Sequence, residues 1–202
     1  MIATLKTLLS PLTYLKAKNS HKFVWDWIIP ALFAVLGVLL LLVLPKPLSV
    51  LGERGLVYWV NELLQVLIGF YIAALAAVAS FDRAALDQLI EGDGVTLKVV
   101  RDGSPVDRSL TRRAFISLMF SYLSLLAITL YCMGVAISLL EGNIKLILPA
   151  ALFYLRLGFV FIYAFLFAQM LSITLVALFY LGDRIHRQTP TPLPPQDIPP
   201  GE

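Results

Sequence analysis

Apolar positions run through this chain in blocks too long for the core of a water-soluble domain. The longest, Ile144 to Leu181, holds nearly forty residues with two charges, Lys145 at its edge and Arg156 inside. About 20 helical residues cross the hydrocarbon core of a bilayer. The run is therefore one helix projecting beyond the lipid, or a short surface segment followed by a full span, with the division near Arg156. Three further blocks, about Trp25–Leu44, Val57–Ser80 and Ala114–Leu140, have the length and apolarity of single crossings. The pattern predicts an all-α membrane protein, a four-transmembrane-helix bundle.

Local signals set the boundaries. Trp25 and Trp27 flank Asp26 at the entry of the first span, and tryptophan favours the headgroup level. Pro30 falls in the first turns, and Pro45 and Pro47 stop the helix. The second span opens on Tyr58 and Trp59, with Asn61, Glu62 and Gln65 in its first turns. Farther on, Gly69, Ala73, Ala76, Ala77 and Ser80 form a small-residue stripe at spacings of three and four. Small residues let membrane helices approach closely, so this helix is expected at the bundle centre. The third span carries Ser117, Ser121 and Ser124 on one stripe, able to line a water path or to bond carbonyls one turn back.

The polar stretches fall between and around the spans. Residues 1–22 read as a basic interfacial segment, with Leu5, Leu8, Leu9, Leu12 and Leu15 at helical spacing and lysines between them, or as a basic tail. Pro11 breaks that pattern, and Ser10 is placed to cap a turn starting at the proline. Residues 23–80 hold the first two spans, and 81–113 form a small cytoplasmic segment. Its first part continues the second helix toward Glu91, with Gly92 as C-cap. Thr96–Val100 and Val106–Leu110 flank turn chemistry and can pair as a β-hairpin, which needs a surface to dock on. Residues 114–182 hold spans three and four. Residues 183–202 end in a proline-rich stretch read as an extended, disordered tail.

Composition agrees: 59% hydrophobic, 14% charged, and a mean hydropathy of +0.83, against about 25% charged residues in soluble domains. The net charge of +3 sits beside apolar runs, in keeping with contact to anionic headgroups; no basic stripe interleaved with aromatics suggests direct nucleic-acid binding. Lys16, Lys18, Lys22, Arg112 and Arg113 are the candidate lipid or partner contacts. One cysteine, Cys132, excludes an internal disulfide and a multi-cysteine metal site. The amino terminus lacks the form of a cleavable signal peptide.

Twelve Lys and Arg residues fall on the two tails and segment 81–113, against three in the short loops. Four crossings put the basic regions on one side, and that side is cytoplasmic by the positive-inside rule. The location expected is the bacterial inner membrane, with both termini inside the cell. In this frame Glu62 and Arg156 share a depth in the outer leaflet, a candidate ion pair within a chain or between subunits, with Glu141 as the rival partner of Arg156. Asn61 and Gln65 complete the candidate intramembrane polar cluster. Gly69, Ala73, Ala76, Ser117, Ser121 and Ser124 are the candidate packing or pore-lining stripes.

No phosphate loop, zinc-type cluster or nucleophilic triad is present, so no enzymatic activity, catalytic residue, metal or cofactor is expected. In layout alone (a short basic amino terminus, a few spans and no catalytic motif) the chain resembles the small multi-pass effectors of bacterial anti-phage systems of the retron and abortive-infection type. That resemblance implies a homo-oligomer that forms a pore or disrupts the inner membrane on a trigger. The alternative is a non-conducting anchor or assembly subunit, holding a soluble cytoplasmic protein through segment 81–113 and the proline-rich tail. A small transporter with Glu62 as its proton-coupled site comes third, because Glu62 lies far from the midplane that transport favours.

Overall fold

The structure, a computed structural model, describes residues 9–18, 22–44, 49–52, 54–80, 84–89, 95–101, 104–147 and 152–186. Four of its helices are long and apolar enough to cross a membrane. They are α1 (Val24–Val43), α2 (Leu56–Ser80), α4 (Arg112–Ile147) and α5 (Leu152–His186); the short α3 is Ala84–Asp87. The chain is a multi-pass membrane protein with an all-α, four-helix bundle.

The first turns of α1, Val24–Ile28, are π-helical. Their cause is Pro30. In an α-helix its N–H would bond the Asp26 carbonyl, and proline has no N–H, while its ring crowds that same carbonyl. Widening the turn relieves the crowding. Pro30 and Ala34, four and eight residues after Asp26, continue a buried stripe that packs α1 on α5.

The centre of the bundle is α4 with α5. Met119, Phe120, Leu123 and Leu130 of α4, and Met170, Ile173 and Ala177 of α5, are fully buried. Helix α2 lies at an edge, packed mainly on α4, so the expectation that the second span sits at the centre is corrected. Its inward face is Val57, Val60, Leu64, Tyr71 and Val78, whose larger side chains bury more contact area against α4. Gly69, Ala73 and Ala76 are turned outward. Close approach occurs elsewhere: Gly134 of α4 lies under the Asn61 side chain, and Gly37 of α1 against Ala164 of α5.

The third helix runs unbroken through Ile147, so Ile144–Ile147 belong to α4. The last helix starts at Leu152, which places Arg156 in its second turn. Helix α2 is described as far as Ser80 and α3 ends at Asp87, with Leu89 bridged to Thr111, so the helix expected as far as Glu91 stops short; residues 81–83 and the Gly92 cap fall outside the described residues. The hairpin is real. Strands β1 (Thr96–Arg101) and β2 (Ser104–Ser109) are antiparallel, with Thr96 opposite Ser109 and Arg101 opposite Ser104. It docks on the bundle by its base, where Val95, Leu110 and Leu86 are buried and the Leu110 N–H bonds the Val95 carbonyl.

Residues Ser10–Lys16 form a 3-10 helix with Pro11 in its first turn. Leu9 takes the cap position and no side chain caps the turn, so Ser10 does not act as expected. This segment packs along α4. Lys18 and Thr96 exchange both backbone hydrogen bonds, tying the segment to the hairpin base. Phe115 of α4 meets Tyr14 and Tyr180 of α5, so residues 9–18, the hairpin and the end of α5 share one end of the bundle. At the opposite end, residues 49–52 and 54–57 belong to a turn with Gly52 at φ 97°, and the Leu56 and Val57 N–H groups bond the Ser49 and Val50 carbonyls. Residues 1–8 and the tail beyond 186 lie outside the described residues.

Candidate functional site

The site begins with a carboxylate at the entry of the first span, enclosed by protein. Asp26 is fully buried. The ammonium of Lys22, one helical turn earlier, bonds its carboxylate, and the Tyr14 hydroxyl donates to it at 3.1 Å. The same ammonium lies 4.2 Å from the centre of the Tyr14 ring, a cation–π contact. A buried charge costs several kcal/mol unless it is paired and hydrogen-bonded, and these two neighbours meet that requirement. Burial, with the Asp26 charge beside it, pushes the Tyr14 phenol well above its ordinary range, so Tyr14 stays a neutral donor.

The backbone of Asp26 is engaged as well. Its carbonyl, deprived of an α-helical donor by Pro30, accepts from Nε2 of Gln169 at 2.9 Å. The other end of that carboxamide accepts from the Tyr122 hydroxyl at 2.9 Å. Tyr122 in turn stacks on Tyr14 with ring centres 5.1 Å apart. The loop of contacts is thus closed, joining the N-terminal segment, α1, α4 and α5. Tyr122 lies ten residues into α4 from Arg112, about 15 Å along the axis at 1.5 Å per residue. An ionisable side chain buried inside a bundle of membrane helices marks a functional-site candidate.

Two smaller polar contacts bind α2 to α5. The Tyr71 and Thr174 hydroxyls meet at 2.6 Å, both buried, and Thr174 also bonds the Met170 carbonyl. Nearer the opposite end, the Tyr163 hydroxyl donates to Asn61 Oδ1 at 3.3 Å. At the hairpin end, Arg113 grips both carboxylate oxygens of Asp87 at 2.7 and 3.1 Å. It also bonds the Val78 carbonyl at 2.9 Å, satisfying one of the last carbonyls of α2. Hydrogen bonding from Arg113 holds the Asp87 carboxyl below its ordinary range.

Of the residues singled out in the sequence, Asn61 is half-buried between Tyr163 and Gly134, whereas Glu62, Gln65 and Arg156 are exposed on their helices. Ser117, Ser121 and Ser124 are half-buried, and Ser124 bonds the Phe120 carbonyl one turn back. Lys16 and Lys18 are exposed, while Lys22 turns inward to buried Asp26 and half-buried Arg113 pairs with exposed Asp87. The side chain of Glu141 lies outside the described residues. Sequence reasoning passed over Tyr14, Asp26, Tyr122 and Gln169. A signal existed: Lys22, Asp26, Pro30 and Ala34 recur every four residues on one face, and Gln169 interrupts an apolar run.

Among the described residues no group of three or more His, Cys, Asp and Glu is placed to hold a metal ion. The closed loop of tyrosines, carboxamide, ammonium and carboxylate contains no nucleophile set against a base; its chemistry is to hold charge and to fasten one segment to three helices. Comparison with protein-family models, curated proteins and solved structures finds no match for the chain.

Proposed function

We propose that the chain is a homo-oligomeric effector of the bacterial inner membrane that permeabilises the bilayer, with the hairpin end inside the cell and a role in defence. The observation that carries this reading is the outward face of α2. Glu62, Gln65, Gly69, Ala73, Ala76 and Ser80 follow one another at spacings of three and four, and all are exposed in the single chain. A carboxylate and a carboxamide turned toward lipid carry a cost that grows with their depth in it. A second copy packed on the glycine and alanines would cover them, since small residues are what membrane helices pack through. Arg156 is exposed at the same end of α5 as Glu62 is of α2, so neighbouring copies can set the two charges together. A polar face gathered around an axis is also what a water path requires.

The anchor reading has its own support in the hairpin. Its base is fixed by Val95, Leu110 and the bridge to Lys18, while Val106, Asp107 and Ser109 of β2 are exposed for a soluble partner. Inducible expression with a voltage-sensitive dye separates the two. The effector reading predicts collapse of the membrane potential, weakened by Glu62→Gln and Arg156→Gln at unchanged abundance in the membrane. A silent dye together with a stable complex containing a soluble protein would establish the anchor instead.

A further inference from the structure

We propose that residues 9–18 are a releasable strap: Tyr14 closes it over Asp26, and its departure opens a polar vestibule between α1, α4 and α5 lined by Asp26, Gln169 and Tyr122. The strap has two unlike faces. Tyr14 and Ala17 are buried against the bundle, whereas Leu9, Leu12 and Leu15 are exposed, with Lys16 and Lys18 exposed beside them. Leucines and lysines so arranged suit the boundary between headgroups and acyl chains, where such segments settle. The segment thus has a second place to go, at the bilayer surface next to the bundle.

Its hold on the bundle is narrow. A single 3-10 helix without a side-chain cap has little stability of its own. The inward attachment is the Tyr14 ring on Phe115 and Tyr122 and under the Lys22 ammonium, the Tyr14 hydroxyl on Asp26, the buried Ala17, and the Lys18–Thr96 bridge. What it covers is a charged pair, and buried pairs contribute little net stability because both ions regain hydration when uncovered. Two inward side chains and one backbone bridge hold the strap closed, and rehydration of the uncovered pair offsets part of their loss. The Asp26–Gln169–Tyr122 chain stays in place without Tyr14, because its bonds are made within α1, α4 and α5. In the effector reading, on which only this last step rests, the closed strap is the resting state and release permits leakage.

The Lys18–Thr96 bridge supplies the test. It is a hydrogen-bonded antiparallel pair, whose Cα atoms stand about 5.5 Å apart, within reach of a disulfide. The full chain carrying Cys132→Ser, Lys18→Cys and Thr96→Cys is reconstituted in vesicles containing phosphatidylglycerol, with and without Tyr14→Ala or the milder Tyr14→Phe. With the cysteines reduced, Tyr14→Ala should raise amide exchange over residues 9–18 at least tenfold while exchange within α4 and α5 holds, with Tyr14→Phe between. Oxidation should restore protection of the strap and suppress release of a trapped dye. Unchanged exchange over 9–18 in Tyr14→Ala, or a rise shared equally by α4 and α5, overturns the strap. So does dye release that ignores the disulfide. Strap release with no dye release from any vesicle would leave the strap standing and remove the effector reading.

Discussion

Two acids stand in nearly the same sequence setting and meet opposite fates. Asp26 follows Trp25 at the start of α1, and Glu62 follows Trp59 by three residues at the start of α2. Asp26 is fully buried, with its carboxylate, its carbonyl and its flanking lysine all engaged inside one chain. Glu62 is exposed on the outer face of an edge helix. The difference lies in what shares each acid's stripe. Four and eight residues after Asp26 come Pro30 and Ala34, which face α5; Glu62 is followed by Gln65, Gly69 and Ala73, which face away from α4. A charge in a membrane protein is therefore interpreted by its stripe rather than by its nearest neighbours in sequence.

The contrast can be broken most severely at Asp26. Lys22→Met leaves its carboxylate buried without a cation, and removing one member of such a pair is destabilising by about 3–5 kcal/mol. Lys22→Met with Asp26→Leu should recover most of that loss, as read by denaturant titration in mixed micelles. If Lys22→Met alone is neutral, the pair is not closed as described. Next in size is Gly134→Ala. A Cβ there would fall 2.6 Å from Asn61 Oδ1, so the amide must swing aside and give up the bond from Tyr163, at a cost of about 1 kcal/mol. Tyr71→Phe removes the hydroxyl facing Thr174 and should cost about 0.6 kcal/mol, the average for interhelical hydrogen bonds in membranes. Glu62→Gln should leave the single chain as stable as before, in direct contrast to Asp26.

The Arg113–Asp87 clamp gives the mildest and most local effect. Because the Asp87 carboxyl lies below its ordinary range, its contribution is present above that range and is lost as pH falls through the lowered value. Acidification should lower the amide protection factors of residues 84–89, that is, their exchange relative to the intrinsic rate at each pH, and Asp87→Asn should abolish that pH dependence. Equal acid sensitivity in Asp87→Asn would contradict the clamp.

The spans were legible because twenty apolar residues have few alternatives to a membrane helix. The hairpin was legible because β-formers flank Asp102–Gly103. The bundle order was not, since apolar side chains face both lipid and protein and carry no inward label. The stripe of Gly69, Ala73 and Ala76 suggested a central helix, yet Leu64 and Tyr71 on the other face decide which side packs inward. The Asp26 site escaped for a related reason. Its partners Tyr14, Tyr122 and Gln169 come from three distant segments, and the tryptophans beside it pointed to the interface.

Asp26 is completed within one chain, and the proposal is that the Glu62 face is completed between chains. The mass of the protein–detergent complex, corrected for bound detergent and lipid, tests it directly. The account predicts a multiple of 22.4 kDa for the native sequence, falling toward a single chain in Glu62→Gln with Gly69→Leu. A native protein that is a single chain in mild detergent and also in lipid nanodiscs would contradict it.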